Sequence, residues 1–274
     1  MPDHTVDNPE FYEAHWRRTR TAHDPAVLTK AAQLVELVPA GVRSVLDVGC
    51  GDGTITAAMA QRFEVTAVDR SAAALAHVAE HSPTVERILA SADQLPLADR
   101  SRDLVMTSEM LEHLPGPMLQ AACRELARVA RTWVLVSVPH AENVRRRFLR
   151  CPKCRLEFNI YGHLHSLDRA RLTGLFGDFE VVQELLSGPA EPASLPAIEQ
   201  VRQHYGQRWH WWPGLQVQCP ACGNEQFAAP KWHAGNRFVD ISCDHATRLW
   251  ARWTGAHEQP YWITLLLRRR DRDG

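Results

Sequence analysis

The sequence predicts an α/β protein built on a largely parallel sheet, and three observations carry that prediction. Short apolar runs alternate with longer stretches of helical spacing from about residue 25 onward. The first run, Val45-Leu46-Asp47-Val48, leads into Gly49-Cys50-Gly51-Asp52-Gly53, with glycine at every second position. Acids recur where later runs end, at Asp69, Asp93 and Glu109. A buried parallel strand reads as a continuous apolar run, and glycine is needed where backbone turns sharply or approaches a ligand. Open α/β sheets bind ligands beyond the carboxyl ends of their strands, which is where these acids fall.

Each element follows in order. Asp24-Pro25 opens a helix whose Leu28, Ala31, Val35 and Val38 repeat at helical spacing, and Pro39 and Gly41 end it. Val45 to Val48 is the first strand, and Thr54 to Gln61 suits a helix whose N-terminus offers free backbone N–H groups. Phe63 to Val68 is the second strand, closed by Asp69, an acid placed to accept both hydroxyls of a ribose. Ser71 caps the next helix, with Leu75 and Val78 on its inner face. Arg87 to Ala92 is a third strand running into Asp93-Gln94, and Asp103 to Ser108 is the fourth. Glu109-Met110-Leu111-Glu112-His113-Leu114 follows it. Trp133 to Val138, Phe179 to Leu186 and Tyr261 to Leu267 complete the set of strands.

These motifs, in this order, resemble the class I S-adenosyl-L-methionine (SAM) methyltransferases, and most of all the group that includes ubiquinone and menaquinone biosynthesis methyltransferases. The resemblance is close over about residues 25–140 and looser over 161–187 and 258–270. It implies a Rossmann-like seven-stranded methyltransferase sheet. It also implies cofactor contacts from Asp47, Gly49, Cys50, Gly51, Gly53, Asp69, Arg70, Asp93, Gln94 and Glu109, with Asp93 receiving the adenine amino group. A nicotinamide or flavin site wants G-x-G-x-x-G, and here the last position is Thr54. One departure is Ala130-Arg131-Thr132, where the family turns through Pro-Gly-Gly. Upstream, Phe11-Tyr12 and His15-Trp16 match an aromatic segment that folds over the cofactor in the family; plain core packing is the alternative.

The chain of 274 residues can hold one large domain or one domain with a sizeable insertion, and its 45% apolar fraction suffices for a buried core. A formal charge of −1 supplies no field that would draw it to nucleic acid or an anionic membrane. Only Lys30, Lys153 and Lys231 are lysines, and the triplets Arg145-Arg146-Arg147 and Arg268-Arg269-Arg270 read either as phosphate grips or as solvated faces. The polar N-terminus is no signal peptide and no apolar run reaches spanning length, so a cytoplasmic protein with reduced cysteines is expected.

Cys151-Pro152-Lys153-Cys154 and Cys219-Pro220-Ala221-Cys222-Gly223 are two matching knuckles. Two such turns can close a tetrahedron of thiolates around zinc; disulfides and unrelated thiols are the alternatives. Four thiolates leave no open position, so the expected zinc is structural, stapling a cap over the acceptor pocket. Cys50, Cys123 and Cys243 read as buried or loop thiols, with Cys243 and His245 as a possible second ligand pair. The expected organisation is a SAM-binding core over 1–140, a first insertion over 141–160, a core helix and strand over 161–188, a cap over 189–257 and a last strand over 258–274. Pro189 to Pro196 reads as the linker into the cap. The cap holds Trp209, Trp211, Trp212, Trp232, Trp250 and Trp253, which bury themselves for want of other core or stack on an acceptor.

Methyl transfer from a sulfonium needs alignment of acceptor, carbon and sulfur, and a base only if the nucleophile begins protonated. Glu109, Glu112, His113, His140, His163 and His165 fall on loops at the substrate edge, and His113 and His140, with Glu112, are the preferred acid–base groups. The expected acceptor is an oxygen or nitrogen of a small or medium biosynthetic molecule, or a peptide, with neither nucleic acid nor membrane as partner. Oligomeric state is not legible in the sequence. Two other readings compete. Glu109, Glu112, His113 and His163 or His165 resemble the divalent-metal site of small-RNA 3′-terminal 2′-O-methyltransferases. A non-catalytic SAM-fold scaffold with a zinc recruitment module is the other.

Overall fold

The computed structural model describes residues 9–18, 24–206, 209–211, 213–228, 234–256 and 258–270. In chain order the elements are α1 (Pro9–Arg18), α2 (Pro25–Glu36), β1 (Ser44–Val48), α3 (Thr54–Ala60), β2 (Glu64–Asp69), α4 (Ala72–His81), β3 (Glu86–Leu89) and β4 (Arg102–Ser108). There follow α5 (Gly116–Val129), β5 (Ala130–Pro139), β6 (Phe148–Arg150), β7 (Glu157–Asn159), α6 (Arg169–Leu175), β8 (Phe179–Glu191), α7 (Pro196–His204), α8 (Ala234–Thr254) and β9 (Gln259–Arg269). The chain divides into two compact units: residues 7–140, 167–189 and 261–274 form one, and residues 1–6, 141–166 and 190–260 the other.

The larger unit is a seven-stranded sheet of order β3-β2-β1-β4-β5-β9-β8, the expected fold class. β1, β2, β3, β4 and β5 pair in parallel, and β9 enters antiparallel to β5. The order reverses at β1, whose neighbours are β2 and β4, so the glycine turn leaves the sheet at its topological switch point. Successive residues of β1 serve opposite faces: Val45 packs with Leu34, Met59, Leu104 and Leu135, while Leu46 packs with Val105, Leu126 and Val134. Helices cover both faces, which is why the strands are apolar throughout. Leu46 is fully buried, and its truncation to Ala would cost about 2–5 kcal/mol.

Local chemistry sets the element ends. Asp24 caps α2 through Ala26 N–H, and Ser71 Oγ accepts from Ala74 N–H at the start of α4. Four expectations shift. Leu28 points outward, and the buried stripe of α2 is Lys30, Ala31, Leu34 and Val35. β3 ends at Leu89, because the chain leaves this sheet edge with a single further bond, Ala90 N–H to Asp69 O. Ala130-Arg131-Thr132 is no turn, since α5 runs straight into β5 at Ala130. β8 continues to Glu191, so Pro189 is in a strand rather than a linker; an edge strand tolerates proline.

In the smaller unit β6 and β7 form an antiparallel hairpin flanking the first cysteine knuckle. Leu149, Leu156, Phe158 and Ile160 build a small core with Cys151 and Cys219, and Trp209 and Trp211 pack against it. Those two tryptophans are therefore core; Trp253 is exposed on α8, and Trp212 and Trp232 lie outside the described residues.

Candidate functional site

The turn after β1 is tight enough to demand glycine. Gly49 and Gly51 have φ of +75° and +55°, and a Cβ on Gly49 would sit 2.5 Å from Met110 Cγ. Asp69, at the end of β2, ties the turn down: its Oδ2 accepts from Gly51 N–H at 3.0 Å and its Oδ1 from Ser71 N–H at 2.8 Å. The Arg70 N–H bonds the same carboxylate, so of about four lone-pair sites about one is left for a hydroxyl. Burial pushes the Asp69 carboxyl up, against those N–H groups.

Beneath the same turn Asp47 accepts from Thr56 Oγ1 at 2.6 Å. Burial, offset by the Thr56 bond and helped by the nearby Asp69 charge, pushes its carboxyl up to about 6. Burial likewise holds the Cys50 thiol well above its usual value, so this cysteine is no nucleophile. Asp93 is half-buried, takes a hydrogen bond from Ser91 Oγ and precedes the exposed Gln94. Arg70 is half-buried beside Asp69.

α1 is fastened across this rim within the same unit. Glu13 accepts from Ser71 Oγ at 2.6 Å and from Ala73 N–H at 3.2 Å, which holds its carboxyl below the usual range. His77 Nε2 lies 2.6 Å from the Trp16 carbonyl.

Glu109 follows β4 with φ of 54°, an uncommon backbone for a glutamate. Its Oε1 is 2.7 Å from Lys30 Nζ, and that ammonium lies 4.5 Å from the Trp262 ring centroid. Lys30 was not among the sequence candidates. The signal was there: a lysine beside Ala31 and Leu34 on an otherwise apolar helix stripe needs a partner when buried. Glu112 is buried on a short 3₁₀ turn, its Oε1 3.9 Å from His113 Nε2, and the Tyr12 ring stands edge-on to His113. His140 closes β5, its N–H donating to Tyr261 O at 2.7 Å.

In the smaller unit His163 Nδ1 is bonded to Glu142, whose other oxygen takes Arg147 Nε at 3.1 Å. The arginine triplets are spoken for. Arg146 and Arg147 pair with Glu191, Arg145 reaches Gln203, and in the larger unit Arg269 donates to Ala130 O at 2.7 Å and Arg270 to Gly177 O. Arg268 and Arg270 remain exposed, so the second triplet keeps a solvated side.

Four cysteine sulfurs of the smaller unit gather within 4.8 Å of one another. Cys151 Sγ is 3.6 Å from Cys222 Sγ and Cys154 Sγ is 3.6 Å from Cys219 Sγ. Four sulfurs each 2.3 Å from one zinc stand about 3.8 Å apart, whereas a disulfide needs about 2.05 Å. In each knuckle the residue four after the first cysteine, Arg155 or Gly223, returns its N–H to that cysteine's carbonyl. Burial raises the Cys151 thiol, but the N–H groups of Cys154 and Lys153 outweigh it and bring it down to about 7. Burial keeps Cys219 up at about 12, so without metal the cluster ionises stepwise. Cys243 and His245 do not form a second pair: two apart on α8, the first is buried against Ile198 O and the second is exposed.

Residues 45–132, which hold the turn and the first four strand ends, match the model of the methyltransferase domain family. Over this stretch the protein is a methyltransferase domain of the class I SAM-dependent kind. It is 35% identical over 152 residues to the "Probable S-adenosylmethionine-dependent methyltransferase" of Mycobacterium tuberculosis, covering 53% of this chain and 51% of that protein. It is 40% identical over 93 residues to the ubiquinone biosynthesis O-methyltransferase of Alkalilimnicola ehrlichii, covering 31% and 38%. The chain thus spans about half the length, or less, of these curated relatives. A SAM-dependent methyltransferase from Archaeoglobus fulgidus shares the fold with a TM-score of 0.54 at 14% identity over 94% of this chain and 98% of that one. The N-methyltransferase NodS from Bradyrhizobium japonicum, in complex with S-adenosyl-L-homocysteine, does so with 0.55 at 12% over 97% and 100%. Among the described residues no helix is long and apolar enough to cross a membrane.

Proposed function

We propose that this methyltransferase passes a methyl group from SAM to an oxygen or nitrogen of a small or medium biosynthetic molecule, and that a structural zinc holds its second unit together. The observation that carries the first part is the rim: Asp47, Gly49, Gly51, Asp69, Asp93 and Glu109 gathered at the carboxyl ends of neighbouring strands. Bound SAM supplies a methyl on a good leaving group. The chain's part is to hold and orient it: the loop N–H groups and Asp69 take the ribose, Asp93 the adenine edge, and α1 keeps water away. The donor set fits, since Asp69 keeps acceptor capacity beyond its bonds to the Gly51, Arg70 and Ser71 N–H groups.

For the acceptor, His113 and His140 are the proposed bases, and Glu112, buried beneath His113, positions it. Oxygen is the favoured nucleophile, because the matched relatives from ubiquinone biosynthesis are named O-methyltransferases. Against the metal-dependent RNA reading, Lys30 already occupies Glu109 Oε1.

Titration calorimetry with SAM is the test. Micromolar binding, weakened at least about tenfold by Asp69→Ala, is expected. No binding to the intact protein would leave the scaffold reading in its place.

A further inference from the structure

Asp93 sits on a stretch with no helix or strand of its own. The sheet releases the chain after Leu89, Ala90 N–H donates to Asp69 O at 3.1 Å, and residues 90–101 are irregular until β4 begins. A carboxylate on such a loop selects one ligand group only if the loop is held from outside itself. The hold comes from one flank of α5. Glu125 Oε2 accepts from Leu95 N–H at 2.9 Å and Arg128 Nη2 donates to Leu95 O at 3.1 Å, so both backbone polar groups of Leu95 are gripped. Arg128 Nη1 donates to Leu97 O and to Asp99 Oδ1, each at 2.7 Å. Its Nε and Nη2 close a bidentate pair with Glu125 at 2.7 and 2.8 Å.

These contacts occupy all five guanidinium N–H groups. The Arg128 bond holds the Glu125 carboxyl below its usual range, so the pair stays ionised. Stability alone is a poor reason for the arrangement. Both side chains are partly exposed, Asp99 is exposed, and ion pairs in contact with solvent contribute little. Position is what the contacts fix. Asp93 stands three residues beyond Ala90, which is tied to Asp69, and two before Leu95, which is tied to α5 and buried in the core. Between those anchors Ser91 Oγ bonds the Asp93 carboxylate. So short a tether leaves that carboxylate little room to move relative to Asp69.

We propose that Glu125 and Arg128 are positioning residues for the adenine end of the cofactor: by clamping Leu95 and Leu97 they hold Asp93 where a 6-amino group reaches it, and so set the preference for adenine over a purine without that group. The inference rests on the adenine role of Asp93 proposed above, and the pair acts through Asp93. A lysine in place of Arg128 keeps the charge but not the clamp, because an ammonium has three donors on a flexible stem and no planar fork.

Titration calorimetry on the full chain is the test, with S-adenosyl-L-homocysteine and with its analogue carrying hydrogen in place of the 6-amino group. The parent should prefer the amino form at least about tenfold, the worth of a hydrogen bond to a charged group. Asp93→Ala should abolish that preference. Arg128→Lys, and separately Glu125→Gln, should cut it at least about threefold, while affinity for the deamino analogue changes by less than about twofold. Adding Arg128→Lys to Asp93→Ala should cut it no further, since both act through one contact. Glu125→Gln keeps one acceptor oxygen and carries the test if Arg128→Lys does not fold; a binding stoichiometry matching the parent's shows that a variant is folded. Clamp variants that weaken both ligands equally would make the pair a structural brace and overturn the proposal. A preference that survives Asp93→Ala would remove the adenine reading itself, and the proposal with it.

Discussion

The indole of Trp16 lies 2.6 Å from the point where a side chain on Gly51 would begin. Gly51 thus answers to two demands at once, the left-handed turn after β1 and the close seat of α1. Replacing it with Ala adds a collision of about 1–3 kcal/mol to a backbone cost of about 1 kcal/mol. Gly51→Ala should therefore lower SAM affinity at least about tenfold by displacing α1. Adding Trp16→Ala should return part of that loss, because the collision is relieved and the backbone cost is not. Calorimetry on the two variants checks this; equal losses in both would mean that the ring is not the obstacle.

Asp47 makes stability depend on pH in a direction opposite to that of a paired surface acid. Its folded value, about 6, lies above the ordinary 3.8. The protonated folded form contributes stability that is complete below the unfolded value and is lost as pH rises to about 6. Above that the deficit is constant, on the order of 3 kcal/mol. Asp47→Asn keeps an acceptor for Thr56 Oγ1 and cannot ionise, so it should be more stable than the parent at pH 8 and about equal at pH 4. Denaturant melts at both pH values decide it, and a difference that does not grow with pH would refute the assignment.

Lys30 and Glu109 should not be equivalent under mutation. Lys30→Met removes the charge and keeps an apolar stem against Trp262, leaving the half-exposed Glu109 to water. Glu109→Ala leaves the buried ammonium without its carboxylate, a loss of about 1–3 kcal/mol even after solvent screening. The melting temperature should fall further for Glu109→Ala than for Lys30→Met, and the reverse order would place the ammonium in contact with water.

The cysteine cluster predicts one zinc per chain. Cys151→Ser should lose most of it, and chelation of the parent protein should cost the smaller unit its fold, since its core is short of other support. Metal analysis with circular dichroism before and after chelation reads both. Because the ligands must shed protons, zinc retention should weaken progressively as pH falls.

How much could be read beforehand differs by residue. The glycine turn, Asp47 and Asp69 were legible because tight backbone and buried acids leave few alternatives at those positions. Lys30 was not, because nothing local marks which of a helix's polar residues turns inward. The first arginine triplet and Arg269 were not legible for the same reason: Arg147 and Arg269 found partners at Glu191 and Ala130 through tertiary proximity.

By itself the sequence determined the succession of strands, the glycine turn and the two cysteine knuckles, since periodicity, glycine spacing and cysteine spacing are local codes. Only the tertiary structure decided that thiols 65 and 71 residues apart come within 3.6 Å, that Glu109 is held by Lys30, and that Trp16 rests on Gly51. The reason is physical. Local patterns constrain the backbone of a segment, while the partner of a buried charge, thiol or ring depends on which distant segment packing brings beside it.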